Sequence, residues 1–313
     1  MPKSDHIAVI GAGLMGHGIA QIFASHGHQV SLLDVNDKIL AKAVENIRAN
    51  LTLMAQSGIG STKDIEPAIQ RISVTQDLKE AASRAKFVFE AVSEKMELKQ
   101  GIFQELDALC PSDTILATNT SVISITEIAA KATKRDRIVG THFWNPPYLI
   151  PLVEVIKGEE TSPMVVELAV NLLRSVEKHP VRVNKDVPGF VGNRLQHALW
   201  REAISIVEQG IADPATVDDV VKKGFGIRLP VLGPLENADM VGLDLTLQIH
   251  DYILKHIERS PEPSPLLKQK VGKKDLGFKT GRGFKEWAPD TMERCRRQLL
   301  EHLILWNRNH GED

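Results

Sequence analysis

This chain contains few cysteines and has a net charge close to zero. It has 2 cysteines, Cys110 and Cys295, and they form neither a CxxC pair nor the spacing of a disulfide framework or a zinc site. This favours a reducing compartment, so we expect a cytoplasmic protein without a metal. The formal net charge of -2 at pH 7 gives no bulk attraction to nucleic acids or anionic membranes.

Long apolar runs are missing as well. No run approaches the roughly 20 residues that span a bilayer, and the first predicted strand leaves no room for a secretion signal before it. We therefore expect no nucleic-acid partner and no membrane partner. The chain has 313 residues, of which 42% are hydrophobic and 25% charged, as in an ordinary globular protein with two domains.

Predicted strands and helices alternate through residues 1–186. The strands are 7–10, 29–34, 72–75, 87–92, 114–119, 137–143, 152–156 and 181–183, and the helices include 37–55, 98–109 and 163–176. This alternation is typical of an α/β protein with a doubly wound, mostly parallel sheet.

The pattern changes after residue 186. Apolar residues at helical spacing run from Val191 to Val207, further helices are predicted at 215–223, 240–257 and 292–308, and no convincing strand follows. We therefore expect an all-α domain over 187–313.

A glycine-rich turn follows the first strand. Gly11, Gly13 and Gly16 form a GxGxxG motif in which Gly11 allows the turn, Gly13 admits a pyrophosphate and Gly16 lets the helix pack on the strand. The helix beginning at Leu14 and Met15 would offer its free N–H groups to the phosphates. A chance glycine-rich turn is the alternative, but a strand before the motif and a helix after it favour a Rossmann-like dinucleotide site.

Asp34 ends the second predicted strand, 18 positions after Gly16. This is close to the spacing of the carboxylate that binds an adenosine ribose. A carboxylate repels a 2′-phosphate, and no arginine follows directly, so the sequence predicts NAD rather than NADP.

His142 and Glu154 lie inside two apolar strand segments. Burial of Glu154 would be costly without a partner, and a histidine is a natural one. The carboxylate would fix the ring so that its other nitrogen accepts a proton from a substrate hydroxyl. The alternatives are a purely structural pair, or a Glu154 that faces solvent on an edge strand.

Other polar residues stand where strands or helices begin or end. Asn119 and Ser121 follow a buried strand and can reach a ligand, or can simply cap the next helix. Asn193, on the first turns of a helix, can face a cleft or solvent. Glu94 and Lys99 are equally consistent with a cleft position and with a solvated helix start.

Seven sequence pieces together resemble the L-3-hydroxyacyl-CoA dehydrogenase family over essentially the full length. They are Gly11–Gly16, Glu90–Glu94, Thr118–Ser121, His142–Pro146, Leu152–Val155, Pro188–Arg194 and Gly281–Phe284. The resemblance implies a Rossmann-like domain, a helical domain that completes the substrate cleft and forms a homodimer, and NAD as cofactor. It also implies that His142 is the base, that Glu154 orients it, that Ser121 and Asn193 contact the reacting oxygen, and that Asp34, Glu94, Lys99 and Asn119 bind the cofactor.

The chain departs from the usual pattern in two places. CoA-using members commonly carry lysines on the arm after the second strand, whereas this chain has none between Lys42 and Lys63. The usual Phe-Phe-Asn-Pro run is Phe143-Trp-Asn-Pro-Pro here, which resembles branches acting on free hydroxy acids: lambda-crystallin/gulonate, carnitine and pyridine-carboxylate dehydrogenases. We expect a small free hydroxy acid or hydroxymethyl compound to be at least as good a substrate as any CoA thioester.

The primary hypothesis is an NAD-dependent dehydrogenase that oxidises an L-3-hydroxyacyl substrate, free or as its CoA thioester, to the 3-oxo compound. The alternative is a non-catalytic NAD-binding structural or sensor protein of the lambda-crystallin kind. A pure binder would need only the glycines and Asp34, so the enzyme is favoured by four further residues: His142, Glu154, Ser121 and Asn193.

Overall fold

One eight-stranded sheet forms the centre of the first part of the chain in the structure, a computed structural model that describes residues 4–310 without the side chain of His310. Its strands are β1 (His6–Ile10), β2 (Gln29–Leu33), β3 (Ile72–Thr75), β4 (Phe87–Glu90), β5 (Ile115–Thr118), β6 (Ile138–Phe143), β7 (Leu152–Ile156) and β8 (His179–Val183). Their spatial order is β3-β2-β1-β4-β5-β6-β7-β8. Within the described residues, only β6 and β7 pair antiparallel, so the predicted mostly parallel sheet is confirmed.

Helices cover both faces of this sheet. They are α1 (Gly16–Ser25), α2 (Asp37–Gln56), α3 (Ile65–Gln70), α4 (Leu78–Ala82), α5 (Met96–Leu109), α6 (Ile125–Ile128) and α7 (Pro163–Ser175). Side chains alternate along a strand: Ile7 and Val9 join an apolar cluster with α1, α2 and α7, whereas Ala8 and Ile10 join another with α4, α5 and α6. The predicted doubly wound arrangement is therefore confirmed.

The strand order reverses at β1, which lies between β2 and β4. Ligands of doubly wound sheets bind outside the carboxyl ends of the strands at such a point. Gly11 follows β1 directly with a φ of 100°, and a Cβ atom there would lie 2.7 Å from the carbonyl oxygen of Ala91. Glycine is thus required where the chain turns from β1 towards α1.

The remainder of the described chain is helical. It contains α8 (Gly192–Glu208), α9 (Pro214–Lys223), α10 (Pro234–Val241), α11 (Leu243–Ile253), α12 (Pro265–Gly272) and α13 (Pro289–His310). Short 3₁₀ helices lie at Thr62–Asp64, Ala129–Lys131, Arg135–Arg137 and Phe225–Arg228. After β8, pairing among the described residues is limited to isolated bridges of Arg282 with Gly277 and Glu286, which confirms the predicted all-α region.

The chain forms two compact units. The first unit comprises the residues up to Arg194 together with the segment from Leu300 onward, and the second unit is Leu195–Leu299. Within the first unit, the Asn307 amide on α13 donates a hydrogen bond to the carbonyl oxygen of Leu149 at 2.7 Å. The domain boundary between residues 186 and 187 stays a prediction.

The helix predicted over 240–257 is wrong as a single element. Gly242, with a φ of 103°, separates α10 from α11, and α11 already ends at Ile253. Two short helices were not predicted. The five residues of α4 are too few to show a helical period, and the prolines before α12 favoured a loop, whereas the Ser264 hydroxyl caps α12 at Leu267 N–H.

Candidate active site

The glycine-rich turn leaves the start of α1 open. A Cβ atom at Gly16 would lie 1.7 Å from the Gly11 carbonyl oxygen, whereas one at Gly13 would meet no described atom within 4 Å. No side-chain cap satisfies the N–H groups at the N-cap residue Met15, and Leu14 is exposed. Free N–H groups and the positive end of the helix dipole suit this turn to a phosphate.

Asp34 lies at the glycine-rich turn. Its Oδ2 accepts a hydrogen bond from the Ala12 N–H at 2.9 Å. This contact fixes a half-buried carboxylate at the carboxyl end of β2, which is where a ribose-binding acid lies in such folds.

Lys99 is paired inside the protein. Its Nζ lies 2.8 Å and 3.0 Å from the two carboxylate oxygens of Glu90 and 3.3 Å from Oε2 of Glu94. Glu90 also accepts hydrogen bonds from the Thr118 hydroxyl and the Val92 N–H. Sequence reasoning left Glu90 without a role; the available signal was an acid ending the apolar run Phe87–Glu90.

Glu94 holds the loop that follows β5. Its Oε1 accepts hydrogen bonds from the Thr120 hydroxyl at 2.5 Å and from the N–H groups of Ser121 at 2.9 Å and Val122 at 3.3 Å. Burial opposes ionisation, but these bonds and the Lys99 charge hold the pKa of Glu94 below its ordinary value. Glu94 is therefore a charged anchor for this loop at neutral pH.

Asn119 and Ser121 are placed by backbone contacts. The buried Asn119 accepts a hydrogen bond from the Phe143 N–H at 2.9 Å through its amide oxygen. The Asn193 amide donates to the Ser121 carbonyl oxygen at 2.8 Å. The structure thus brings the Asn193 amide to the main chain of Ser121, and the assignment of both residues to a reacting oxygen stays a prediction.

His142 and Glu154 form a buried pair. They face each other in the antiparallel register of β6 and β7, and His142 Nδ1 lies 2.8 Å from Glu154 Oε2. Their exposed fractions are 4% and 1%, so Glu154 does not face solvent on an edge strand. With Nδ1 occupied by the carboxylate, Nε2 is the ring nitrogen left to exchange a proton with a ligand.

The second oxygen of Glu154 is held by the main chain. Its Oε1 accepts hydrogen bonds from the N–H groups of Val191 at 2.9 Å and Gly192 at 3.0 Å. Burial opposes ionisation, but the bonds from His142, Gly192 and Val191 hold the pKa of Glu154 below its ordinary value. The pair therefore contains a carboxylate that can stabilise a positively charged imidazole ring.

Two residues with positive φ directly precede these N–H groups. Gly189 and Phe190 have φ values of 77° and 49°, which is uncommon for a bulky residue such as Phe190. The buried Phe190 ring also lies 5.9 Å from the His142 ring. Sequence reasoning missed Phe190, although it lies in the Pro188–Arg194 piece that carries the resemblance.

Two family models match the chain. The model for the 3-hydroxyacyl-CoA dehydrogenase NAD binding domain matches residues 6–187, and that for the 3-hydroxyacyl-CoA dehydrogenase C-terminal domain matches residues 189–287. The chain belongs to the 3-hydroxyacyl-CoA dehydrogenase family. The resemblance seen in the sequence is thereby confirmed.

Relatives in this family include enzymes of two kinds. The chain is 34% identical to 5-formyl-3-hydroxy-2-methylpyridine 4-carboxylate 5-dehydrogenase of Mesorhizobium japonicum, with 97% of both chains covered. It is 40% identical to the mitochondrial hydroxyacyl-coenzyme A dehydrogenase of Rattus norvegicus, over 89% of this chain and 90% of the relative. A solved structure of the pyridine-carboxylate enzyme, named an NAD⁺-dependent dismutase, covers 98% of both chains with a TM-score of 0.90 and 34% identity.

Family membership makes the protein an NAD-dependent oxidoreductase acting on CH–OH groups. The open position at Gly13, the uncapped start of α1 and the placement of Asp34 all fit NAD. Among residues 4–310, no cluster of His, Cys, Asp or Glu could hold a metal ion, and none of the helices is long and apolar enough to cross a membrane.

Proposed function

We propose that the protein oxidises the hydroxyl of an L-3-hydroxyacyl substrate to the 3-oxo compound, with His142 as the base. The observation that carries this proposal is the buried pair of His142 and Glu154. A protein that only binds NAD has no need for a carboxylate buried among apolar strands and aligned on a histidine, so the pair favours an enzyme over a structural or sensor protein.

Each residue of the pair has a defined task. Bound NAD would supply the acceptor for the hydride that leaves the carbinol carbon. His142 Nε2 takes the hydroxyl proton, and the Glu154 carboxylate stabilises the resulting imidazolium ion. Ser121 and Asn193, which contact each other, bind the reacting oxygen and hold the carbinol in reach of His142.

The cofactor is held by the first unit. We assign Gly11, Gly13, Gly16 and the N–H groups at Leu14 and Met15 to the pyrophosphate, and Asp34 to the adenosine ribose. Asn119, Glu94 and Lys99 belong to the same edge of the sheet. Because Lys99 is buried and paired with Glu90 and Glu94, we assign it to the cofactor site through Glu94, which it positions.

The substrate is a compact hydroxy acid that is used at least as well as a CoA thioester. The arm from Ala43 to Thr62 carries one cation, Arg48, and this side chain is already paired with Glu66. The arm therefore lacks an unpaired cation for CoA phosphates. The turn after β6 also packs closely on α1, since a Cβ atom at Gly18 would lie 2.5 Å from the Pro147 ring.

NADH formation from NAD tests the proposal. Purified protein is supplied with a panel of free 3-hydroxy acids, hydroxymethyl pyridine carboxylates and 3-hydroxyacyl-CoA thioesters, and kcat/KM is measured for each. We expect oxidation of at least one free acid with a kcat/KM no lower than that of any thioester. A far higher kcat/KM for a thioester would overturn the substrate assignment alone, and no turnover of any hydroxy compound would overturn the catalytic assignment.

We further propose a homodimer in a reducing, cytoplasmic compartment. Large apolar side chains of the second unit are exposed, including Val231, Leu235 and Tyr252, and a symmetric dimer would bury such surface. Both cysteines are free in the structure, with Cys110 buried and Cys295 exposed, which suits a compartment where thiols stay reduced.

A further inference from the structure

Gly192 faces a tryptophan ring. Its backbone does not have the positive φ that requires glycine, but a Cβ atom at this position would lie 2.4 Å from Cζ2 of Trp144 and 3.2 Å from Cη2. The indole ring therefore occupies the space that a side chain at position 192 would need. Both residues belong to the first unit.

The Trp144 ring is held in place by packing. Its Nε1 is buried and has no hydrogen-bond partner within the described part of the chain. The ring centre lies 5.2 Å from that of His142, with the planes at 51°. An unpaired buried donor is unfavourable, so packing rather than hydrogen bonding holds the ring in place. This packing requires that residue 192 has no side chain.

Gly192 also contacts the catalytic pair. Its N–H donates to Glu154 Oε1 at 3.0 Å, and Glu154 in turn holds His142. A side chain at position 192 would push the Trp144 ring, displace this N–H from Glu154, or do both. Position 192 thus links the ring beside His142 to the carboxylate that orients His142.

We propose that Trp144 and Gly192 are a matched pair that determines substrate size. The absence of a side chain at Gly192 lets the indole ring lie beside His142, where it narrows the site so that a short hydroxy acid fits better than a long acyl chain. This inference rests on the proposed dehydrogenase function. It assigns neither residue to the chemical step, because the ring acts on the shape of the site and Gly192 acts through the ring and Glu154.

Four proteins test the pair: the wild type, Trp144→Phe, Gly192→Ala and the double variant. NAD-linked oxidation of 3-hydroxybutyrate, 3-hydroxyhexanoate and 3-hydroxyoctanoate is measured with each protein, so that substrate charge stays constant while chain length changes. Trp144→Phe removes the ring atoms nearest position 192 and enlarges the site. We expect it to raise the kcat/KM of the longest acid relative to the shortest by roughly tenfold or more, the scale on which apolar pockets discriminate methylene groups.

Gly192→Ala should behave differently. We expect kcat to fall about tenfold or more for every chain length, while the Kd for NAD stays unchanged because the glycine-rich turn is untouched. In the Trp144→Phe background the same Gly192→Ala change should cost less than about threefold in kcat, since the collision is gone. Alanine by itself is favourable to the helix that begins here, so a loss must come from the ring contact.

The outcomes separate this inference from the proposed function. An unchanged chain-length preference in Trp144→Phe, or an equal effect of Gly192→Ala in both backgrounds, overturns the pair while dehydrogenase activity remains. If the wild type oxidises no hydroxy acid, the proposed function and the substrate-size role fail together. The contact between Trp144 and Gly192 is then tested by the fall in Tm that Gly192→Ala causes. A smaller fall in the Trp144→Phe background than in the wild type supports the contact, and an equal fall in both refutes it.

Discussion

Lys99 and Glu90 form an ion pair that solvent barely reaches, with exposed fractions of 1% and 0%. The Lys99 ammonium bridges the end of β4 to Glu94, and Glu94 fixes the loop containing Ser121. A charge in such surroundings depends on its partner, because removal of one member leaves the other buried and uncompensated.

Lys99→Met should therefore destabilise the protein strongly. We expect the free energy of unfolding to fall by about 3–5 kcal/mol, the range for breaking a buried pair from one side. Urea unfolding at neutral pH measures this change. The double variant Glu90→Gln/Lys99→Met is the control and should recover much of the loss, whereas a single-variant loss below about 1 kcal/mol would contradict the dependence of Glu90 on Lys99.

Asp34 should decide the choice between NAD and NADP. A carboxylate at the ribose repels a 2′-phosphate, so we expect kcat/KM to favour NAD by more than roughly tenfold, or about 1.4 kcal/mol. Asp34→Asn keeps an oxygen that can accept the Ala12 hydrogen bond, and it should narrow the preference. Equal efficiency of the wild type with both cofactors would remove the role assigned to Asp34.

His142→Gln should cut turnover by roughly a hundredfold or more, the usual scale for a lost general base. The Kd for NAD should barely change, because Gly13 and Asp34 are untouched. Glu154→Gln should also lower turnover, since a neutral amide does not stabilise the imidazolium ion. His179→Gln, at an exposed position on β8, is the matched control, and near-native turnover in His142→Gln would place the base elsewhere.

The stability contributed by Glu154 should be lost in acid. Burial disfavours its charge, yet the hydrogen bonds from His142, Gly192 and Val191 prevail and hold its pKa below the ordinary value of 4.5. Stability from a lowered carboxyl pKa is fully present above that ordinary value and disappears as pH falls through the folded-state pKa. The difference in unfolding free energy between wild type and Glu154→Gln should therefore shrink below pH 4.5, and a constant difference would argue against this account.

Assembly can be measured directly. If the exposed apolar surface of the second unit is buried in a dimer, sedimentation at micromolar concentration should give twice the mass of the chain. Leu235→Glu places a charge on a residue that is 79% exposed and should weaken association if this side chain lies in the contact. Sedimentation of the wild type as a monomer would count against the dimer.

Much of the fold can be predicted from local sequence patterns. The GxGxxG spacing, the alternation of strands with helices and the change to helices alone are all visible in the sequence, because each depends on neighbouring residues. The apolar neighbours of Glu154 also predicted a partner, and the structure shows that His142 occupies the opposite position in the antiparallel register.

Other features depend on contacts that no local pattern contains. The N–H groups of Val191 and Gly192 bind Glu154, but every non-proline residue has the same donor, so nothing in these two side chains marks them. Phe190 adopts a positive φ that its residue type does not suggest. Glu90 and Lys99 each look like ordinary charges until α5 packs on β4 and buries both.

The first unit is discontinuous in sequence, because part of α13 belongs to it. Because the first unit includes the segment from Leu300 onward, a ribosome delivers all of Leu195–Leu299 before the Asn307 amide can reach the carbonyl oxygen of Leu149. A nascent chain whose β6 and β7 have already left the ribosome thus still lacks this hydrogen bond to the turn between the two strands. The hydrogen bond forms only once a residue 158 positions after Leu149 has been translated.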